Sequence, residues 1–175
     1  YPFVTMDCGG LVGGFAEGYT KAAIAVVDKF SHKDLEVQAN SVNVLGLSDF
    51  YYNGTADRKE ICRLLKMAGY KINAIPGSGS SLEDLGKLGA AGLNIVCNEE
   101  LGLKLAKHLE KVFGTPYVVV GMPYGIEGTQ DWLERIHKVL PCENLQAVKE
   151  EGKELLERLI AQGNDCRGVW GSLWF

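Results

Sequence analysis

The sequence predicts an α/β fold: a doubly wound parallel sheet of about four to five strands with helices on both faces. Two observations predict it. Short apolar runs of strand length alternate with longer segments in which apolar residues recur at helical spacing. The connections between them are short, and strand–helix units joined in this way require parallel strands linked by right-handed crossovers. Such a sheet places its ligands at the carboxyl ends of its strands.

Composition limits the classes of function. The 175 residues are 46% hydrophobic and 23% charged, which is typical of one globular domain spanning residues 1–175. A net charge of −4 gives no basic footprint for nucleic acid, and no apolar run is long enough to cross a membrane. The five cysteines form no CxxC pair, which favours a cytoplasmic setting over a disulfide framework.

The elements follow in three stretches. Residues 1–40 hold a glycine-rich loop at 8–14, a helix and a polar connector. Residues 41–140 are the repeated strand–helix core. Its predicted strands lie at residues 42–47, 71–75, 93–97 and 117–121, and the helices between them have caps predicted at Thr55, at Ser80 or Ser81, and at Thr129.

Residues 141–175 are predicted to form a long polar helix at 143–162 and then the start of another strand, at 169–175. The chain begins without a methionine and finishes on this apolar, aromatic run. Chain termini are usually polar and loosely held. We therefore expect the domain to be excised from a longer, multi-domain subunit.

Candidate cofactor-binding residues lie where the predicted strands end. Because the carboxyl ends of parallel strands share one edge, we expect Ser48, Gly77, Ser78, Cys97 and Asn98 to gather there. The glycine–serine loop that contains Gly77 resembles a phosphate cradle, but it lacks the lysine of a Walker A loop. A plain tight turn is the alternative interpretation.

Cys97 is the candidate metal ligand. It follows a predicted strand and precedes a helix N-terminus, which would lower the pKa of its thiol and favour the thiolate that an iron–sulfur cluster needs. The alternative is a buried core cysteine. Cys62 is predicted to be a packing residue, Cys8 is a weaker ligand candidate, and Cys142 has no evident partner, like Cys166. The three histidines are predicted to be surface residues.

The order and spacing of several segments resemble the nitrogenase component 1 family. That family includes molybdenum–iron protein subunits, their cofactor-assembly homologues and dark-operative protochlorophyllide reductases. The segment at 123–129, Pro-Tyr-Gly-Ile-Glu-Gly-Thr, is closer to the β-type subunit. The segments that carry the resemblance are residues 13–30, 42–46, 59–70, 93–96, 109–117 and 122–129.

The resemblance implies the central one of three α/β domains in a redox subunit. It implies a homologous component 1 subunit and an ATP-dependent iron-protein reductase as partners. An iron–sulfur or molybdenum–iron cluster is implied in the full-length complex, whereas the isolated fragment is expected to hold none and to be inactive. The substrate stays open among dinitrogen, a tetrapyrrole and a cofactor precursor.

In the α-type subunit, a cysteine of this domain ligates the cofactor directly after a similar strand. When this chain is aligned with that segment of the α-type subunit without gaps, Asn98 falls at the ligand position and Cys97 lies one residue before it. Two alternatives to a catalytic subunit remain. One is a cofactor-assembly scaffold, and the other is a non-enzymatic α/β module that binds a small molecule.

Overall fold

A computed structural model describes residues 3–6, 13–32 and 34–171, with side chains described as far as residue 163. Strands and helices alternate from residue 15 to residue 139, and a further helix follows. A short 3-10 turn at Leu88–Ala90 precedes the third strand. In chain order the elements are α1 (Phe15–Phe30), β1 (Gln38–Leu45), α2 (Gly54–Met67), β2 (Lys71–Ala74), α3 (Leu82–Gly86), β3 (Ala91–Val96), α4 (Glu99–Phe113), β4 (Tyr117–Val119), α5 (Gly125–Val139) and α6 (Leu145–Gly171).

The described strands form one sheet of four parallel strands in the order β2-β1-β3-β4. The chain moves outward from β1 to β2, then crosses back over β1 to place β3 on its other side. The topological switch point therefore lies between β1 and β3, where Cys97 N donates to Leu45 O at 2.9 Å. The predicted doubly wound α/β fold is confirmed.

Helices cover both faces of the sheet because the strands are apolar on both sides. On one face, Val42, Val44 and Ile95 pack in a core cluster with residues of α2, α5 and α6, including the fully buried Trp132. On the other face, Leu45 and Val96 pack in a second cluster with residues of α1 and α4.

Three asparagines form a ladder across the sheet. Asn43 on β1 donates to Asn94 Oδ1 on β3 at 2.8 Å and to the carbonyl of Leu88 at 2.9 Å. Asn73 on β2 donates to Asn43 Oδ1 at 2.7 Å. Asn43 and Asn94 are both wholly buried, so these amides satisfy one another where water cannot reach them.

The starts of the helices confirm one of the predicted caps and contradict two others. Ser81 and Asp84 form the reciprocal capping box that the sequence indicated. The caps predicted at Thr55 and Thr129 are wrong. Asn53, with a left-handed backbone at φ 63°, precedes α2, so Thr55 is already helical. Thr129 lies within α5 and donates to the carbonyl of Gly125 at 2.7 Å.

The strand predicted at residues 169–175 is wrong for residues 169–171, which continue α6. Residues 163–168 contain glycine but no proline, so no residue removes a helical hydrogen-bond donor before the apolar run begins. Residues 172–175 lie outside the described residues. Within the described residues, no helix combines the length and the apolar character that crossing a bilayer requires.

Candidate functional site

A cleft of about 290 Å³ opens at the carboxyl edge of the sheet, beside the switch point between β1 and β3. The loop after β1 forms one wall, and the loops after β3 and β4 form the other. Ligands of doubly wound sheets bind at this place. The cleft is lined by Gly46, Leu47, Ser48, Tyr51, Tyr52, Gly54, Asp57, Asn98, Met122 and Tyr124.

The floor of the cleft depends on a close approach of two backbones. Gly46 has φ +87°, and a Cβ atom there would lie 2.5 Å from the carbonyl oxygen of Asn98. The Asn98 side chain caps α4 by accepting from the amide of Leu101 at 3.2 Å. Glycine at position 46 therefore lets the ends of β1 and β3 close together beneath the cleft.

Exposed aromatic side chains lie in the cleft and in the loop after β1. Tyr52 is 94% exposed, Phe50 86% and Tyr124 77%. Phe15 on α1 contacts Phe50 and Tyr51 edge-on, with ring centroids 6.4 and 6.3 Å apart. A cluster of exposed aromatics marks a surface that binds a ligand or another protein surface.

A charged network joins the loops after β1 and β2. Ser78 Oγ donates to Asp49 Oδ1 at 2.7 Å, and Arg58 Nε lies 3.5 Å from the same oxygen. The hydrogen bond from Ser78, together with the charge of Arg58, holds the pKa of the Asp49 carboxyl below its usual range. The loop containing the predicted Gly77 and Ser78 is thus tied to the cleft wall through Asp49.

Tyr19 of α1 holds these loops from the side. Its hydroxyl lies 2.9 Å from the carbonyl of Pro76 and 3.1 Å from that of Leu47. Burial raises the pKa of Tyr19 to about 12, with a further contribution from the charge of Asp49. Gly77 has φ +80°, and a Cβ atom there would overlap the Tyr19 hydroxyl. This packing is why the glycine–serine loop forms a tight turn.

The structure brings together only some of the predicted site residues. Ser48 and Asn98 both line the cleft. Gly77 and Ser78 lie behind its wall and do not line it. The expectation of a lowered pKa for Cys97 is wrong, because burial raises the pKa of its thiol to about 12.

Side-chain alternation explains the position of Cys97. It lies two residues beyond Ile95, so both side chains point to the same face of the sheet. Cys97 is 2% exposed and belongs to the core cluster between the sheet and α2 and α5. The adjacent helix N-terminus therefore does not outweigh desolvation of the thiolate.

The described residues do not fit a metal cluster by themselves. They contain no group of three or more His, Cys, Asp or Glu side chains placed to hold a metal ion. Cys97, the predicted ligand, faces the core, and Cys8 lies outside the described residues. The assignment of Cys97 as a cluster ligand stays a prediction.

Sequence reasoning missed several features of this edge. Tyr51, Tyr52 and Asp57 lie in a turn and a first helical turn that carry no apolar periodicity, so no pattern marked them as cleft residues. It also missed the contact of His137 with Cys142 across the end of α5. Their spacing of five residues, with Pro141 ending the helix between them, was the available signal.

The sheet order and the cleft define a doubly wound α/β domain with an open cleft at its switch point. The chain belongs to the nitrogenase component 1 type oxidoreductase family, whose model matches residues 1–169. Within that family it resembles the β-type subunits.

Two curated relatives illustrate the likeness, and both are the same kind of subunit of light-independent protochlorophyllide reductase. The subunit from Chloroflexus aggregans is 34% identical over 115 residues, covering 66% of this chain and 21% of the relative. Its counterpart from Huperzia lucidula is 36% identical over 135 residues, covering 77% of this chain and 25% of the relative. The chain thus spans about a quarter or less of the curated relatives that it matches.

A solved structure of nitrogenase Cp1 at pH 6.5 has the same fold. It superposes with a TM-score of 0.66 at 26% identity, covering 86% of this chain and 28% of that one. Nitrogenase Cp1 at pH 5 gives the same TM-score and identity, with 29% of its chain covered.

Proposed function

We propose that the chain is the central domain of a nitrogenase component 1-like oxidoreductase subunit of the β-type. Its role is to form one wall of a cavity for a substrate or metal cluster. The observation that carries this proposal is the cleft at the switch point of a family domain, whose lining includes three tyrosines, Tyr51, Tyr52 and Tyr124. Such a lining shapes a cavity and excludes water, while other domains supply the reacting groups.

The proposal extends to partners and cofactor. A homologous component 1 subunit completes the cavity, and an ATP-dependent iron-protein reductase delivers the electrons, in the cytoplasm. An iron–sulfur or molybdenum–iron cluster belongs to the full-length complex, and Cys97 is its one predicted ligand in the described part of the chain. Family membership supports these assignments.

Tyr52 offers the sharpest test of the cleft. At 94% exposure its truncation removes little packing, so Tyr52→Ala leaves the fold intact. The variant is made in the full-length subunit, assembled with its partner and supplied with reductase and ATP. Protochlorophyllide is the first substrate to assay, because the curated relatives are named for its reduction. We expect turnover to fall by about tenfold, since a displaced substrate loses its reactive geometry.

The matched control is Val139→Ala. Val139 is also an exposed apolar residue, 47% accessible, but it ends α5 at the opposite edge of the sheet. We expect its turnover and its iron content to equal those of the unmodified protein. Equal turnover in Tyr52→Ala and Val139→Ala would contradict the cleft assignment.

The predicted ligand Cys97 is checked in the same full-length complex. Anaerobic Cys97→Ser is compared with the unmodified complex by iron analysis and cluster spectroscopy. Lost iron supports ligation, whereas unchanged iron content shows that Cys97 is a core residue only.

A further inference from the structure

A groove of about 360 Å³ lies between α2, the start of α5 and the middle of α6. Apolar side chains from all three helices line it, among them Leu64, Ile126, Leu155 and Leu159. Leu64 is buried, whereas Leu155 is 40% exposed and Leu159 is 52% exposed. The groove is therefore an apolar surface that the described residues leave open.

The exposure of this surface follows from the length of α6. Lys149 pairs with Glu134, and a Cβ atom at Gly152 would lie 3.1 Å from Ile126 in the first turn of α5, so the two helices run antiparallel. From Gly152, α6 continues to Gly171, about 28 Å at a rise of about 1.5 Å per residue. Most of this half of α6 therefore has no part of α5 beside it.

The apolar residues of α6 form a stripe along this half. Leu156 and Ile160 are also exposed, and they adjoin Leu155 and Leu159 at helical spacing. Residues 149–158 contain four glutamates, two lysines and one arginine, so α6 lacks the basic face with which amphipathic helices bind anionic membranes. A contiguous apolar stripe on such a helix indicates contact with another protein surface.

The groove and the cleft share one wall, which is the loop after β4. Met122 and Tyr124 line the cleft, whereas Pro123 and Gly125 line the groove. Because α5 begins at the carboxyl edge of the sheet, both openings lie at that edge. A segment seated in the groove would therefore pack against the loop that carries Tyr124.

The length of the curated relatives indicates what covers the groove. The chain spans 21% of one relative and 25% of another, and the proposed function requires other domains of such a subunit at this same edge. A segment of the same polypeptide is held near the groove by the chain itself. It therefore avoids most of the entropy cost that a separate molecule pays on association.

We propose that the groove is the docking surface for an apolar segment of the same subunit, from outside residues 1–175. The segment packs on Leu155 and Leu159 and supports the loop that carries Tyr124. This inference rests on the proposed function, because it takes the chain to be one domain of a longer subunit.

Hydroxyl-radical footprinting of the full-length subunit in its complex tests whether the groove is covered. The oxidation rate of each leucine is measured in the folded and in the guanidinium-unfolded protein. Leu82 on α3 is the matched reference, since it is 58% exposed. We expect Leu155 and Leu159 to be protected about tenfold more than Leu82, because the core of an interface excludes solvent. Equal protection would overturn the proposal.

Cross-linking identifies the occupant. A photoreactive benzophenone amino acid replaces Ile160, and the complex is assembled from a mixture of unlabelled and isotope-labelled subunit. We expect cross-links to a peptide outside residues 1–175 of the same subunit, with the same label on both halves. Cross-links to the partner subunit or between labelled and unlabelled copies would overturn the proposal, as would the absence of any cross-link.

Leu159→Glu and Leu82→Glu form a matched pair of variants. Both leucines are more than half exposed in the domain, so neither change unfolds it. We expect oxidation of Leu155 to rise about tenfold in Leu159→Glu, because an unpaired carboxylate in the interface displaces the docked segment. It should stay constant in Leu82→Glu. Unchanged oxidation of Leu155 in Leu159→Glu would overturn the proposal.

None of these readouts depends on turnover, so the docking surface and the cleft are tested separately. If the groove is protected while Tyr52→Ala keeps full turnover, the docking surface stands and the cleft assignment falls. If Tyr52→Ala loses turnover while the groove is unprotected, the reverse holds.

Discussion

Two polar networks join β1 to β2, one inside the sheet and one at its carboxyl edge. The inner network is the asparagine ladder. Asn43 is wholly buried, and its side-chain amide forms hydrogen bonds with asparagines on both neighbouring strands. The edge network centres on the carboxylate of Asp49, whose side chain is 42% exposed and which accepts from Ser78.

The difference between them is one of charge and solvent. Neutral amides can be buried when every donor and acceptor is matched, and they then favour one strand register over its alternatives. A carboxylate is costly to bury and stays at the surface, where water or a ligand can replace its partners. The ladder thus specifies the sheet, whereas the Asp49 network leaves the edge open to binding.

The largest expected effect comes from the ladder. Asn43→Ala leaves the carbonyl of Leu88 and the amide oxygen of Asn94 buried without their donor. We expect the free energy of unfolding to fall by about 4 kcal/mol, because each buried unsatisfied group costs about 1–3 kcal/mol. Chemical denaturation measures the change. Asn73→Ala at the half-buried end of the ladder is the comparison, with an expected loss of about 2 kcal/mol, because of the two buried asparagines it leaves only Asn43 Oδ1 without a donor. Equal losses would show that the ladder does not act through burial.

Gly46→Ala tests the floor of the cleft. The new Cβ atom meets the Asn98 backbone, and the residue must also keep φ +87°. We expect a loss of about 3 kcal/mol, from backbone strain and the clash together. Gly121→Ala separates the two causes, since Gly121 has φ +72° with no atom near its Cβ position. It should lose about 1 kcal/mol. If the two variants are equally stable, the close approach of β1 and β3 is not required.

Tyr19→Phe removes the hydroxyl that contacts the carbonyls of Leu47 and Pro76. We expect a loss of about 1 kcal/mol in the free energy of unfolding near neutral pH. Tyr51→Phe is the control, because its hydroxyl makes no hydrogen bond within the described residues. A loss in Tyr51→Phe as large as that in Tyr19→Phe would contradict the role assigned to Tyr19.

The same tyrosine predicts an alkaline effect. Its pKa is raised in the fold from 10.0 to about 12, so the unfolded chain loses the phenolic proton first. The stabilisation from this pKa shift is fully present below pH 10 and is lost as the pH rises towards 12. Tyr19→Phe should therefore lose less stability than the unmodified protein between these pH values, measured by denaturation at each pH. Parallel pH profiles would contradict the assignment.

The smallest effect concerns the edge network. Ser78→Ala removes the hydrogen bond that contributes most to lowering the pKa of Asp49. We expect that pKa to rise towards its ordinary value, followed by NMR titration of the carboxyl carbon. The pKa of Glu134, which pairs with Lys149, is the internal reference and should not change. An unshifted Asp49 would mean that Arg58 and Thr55 suffice to hold its charge.

The sequence alone determined the class of fold and most element positions. Short apolar runs and apolar residues at helical spacing are local features, and they predicted the four described strands. The spacing of serine and acidic residues predicted a capping box at Ser80 or Ser81, and Ser81 forms it. The sequence also indicated that Cys97 is buried, because side chains alternate along a strand and Cys97 therefore lies on the same packed face as Ile95. Local pattern failed at residues 169–171, where an apolar run without a helix breaker continued α6.

Only the tertiary structure decided what meets at each edge. Tyr52 and Tyr124 come from loops far apart in the chain, and no periodicity relates them. His137 and Cys142 face each other because α5 ends between them and Tyr70 holds the turn. Hydrophobic periodicity indicates which side of a helix or strand faces the core. A binding site, by contrast, is formed by residues at the ends of several helices and strands. Its geometry therefore depends on how the strands and helices pack.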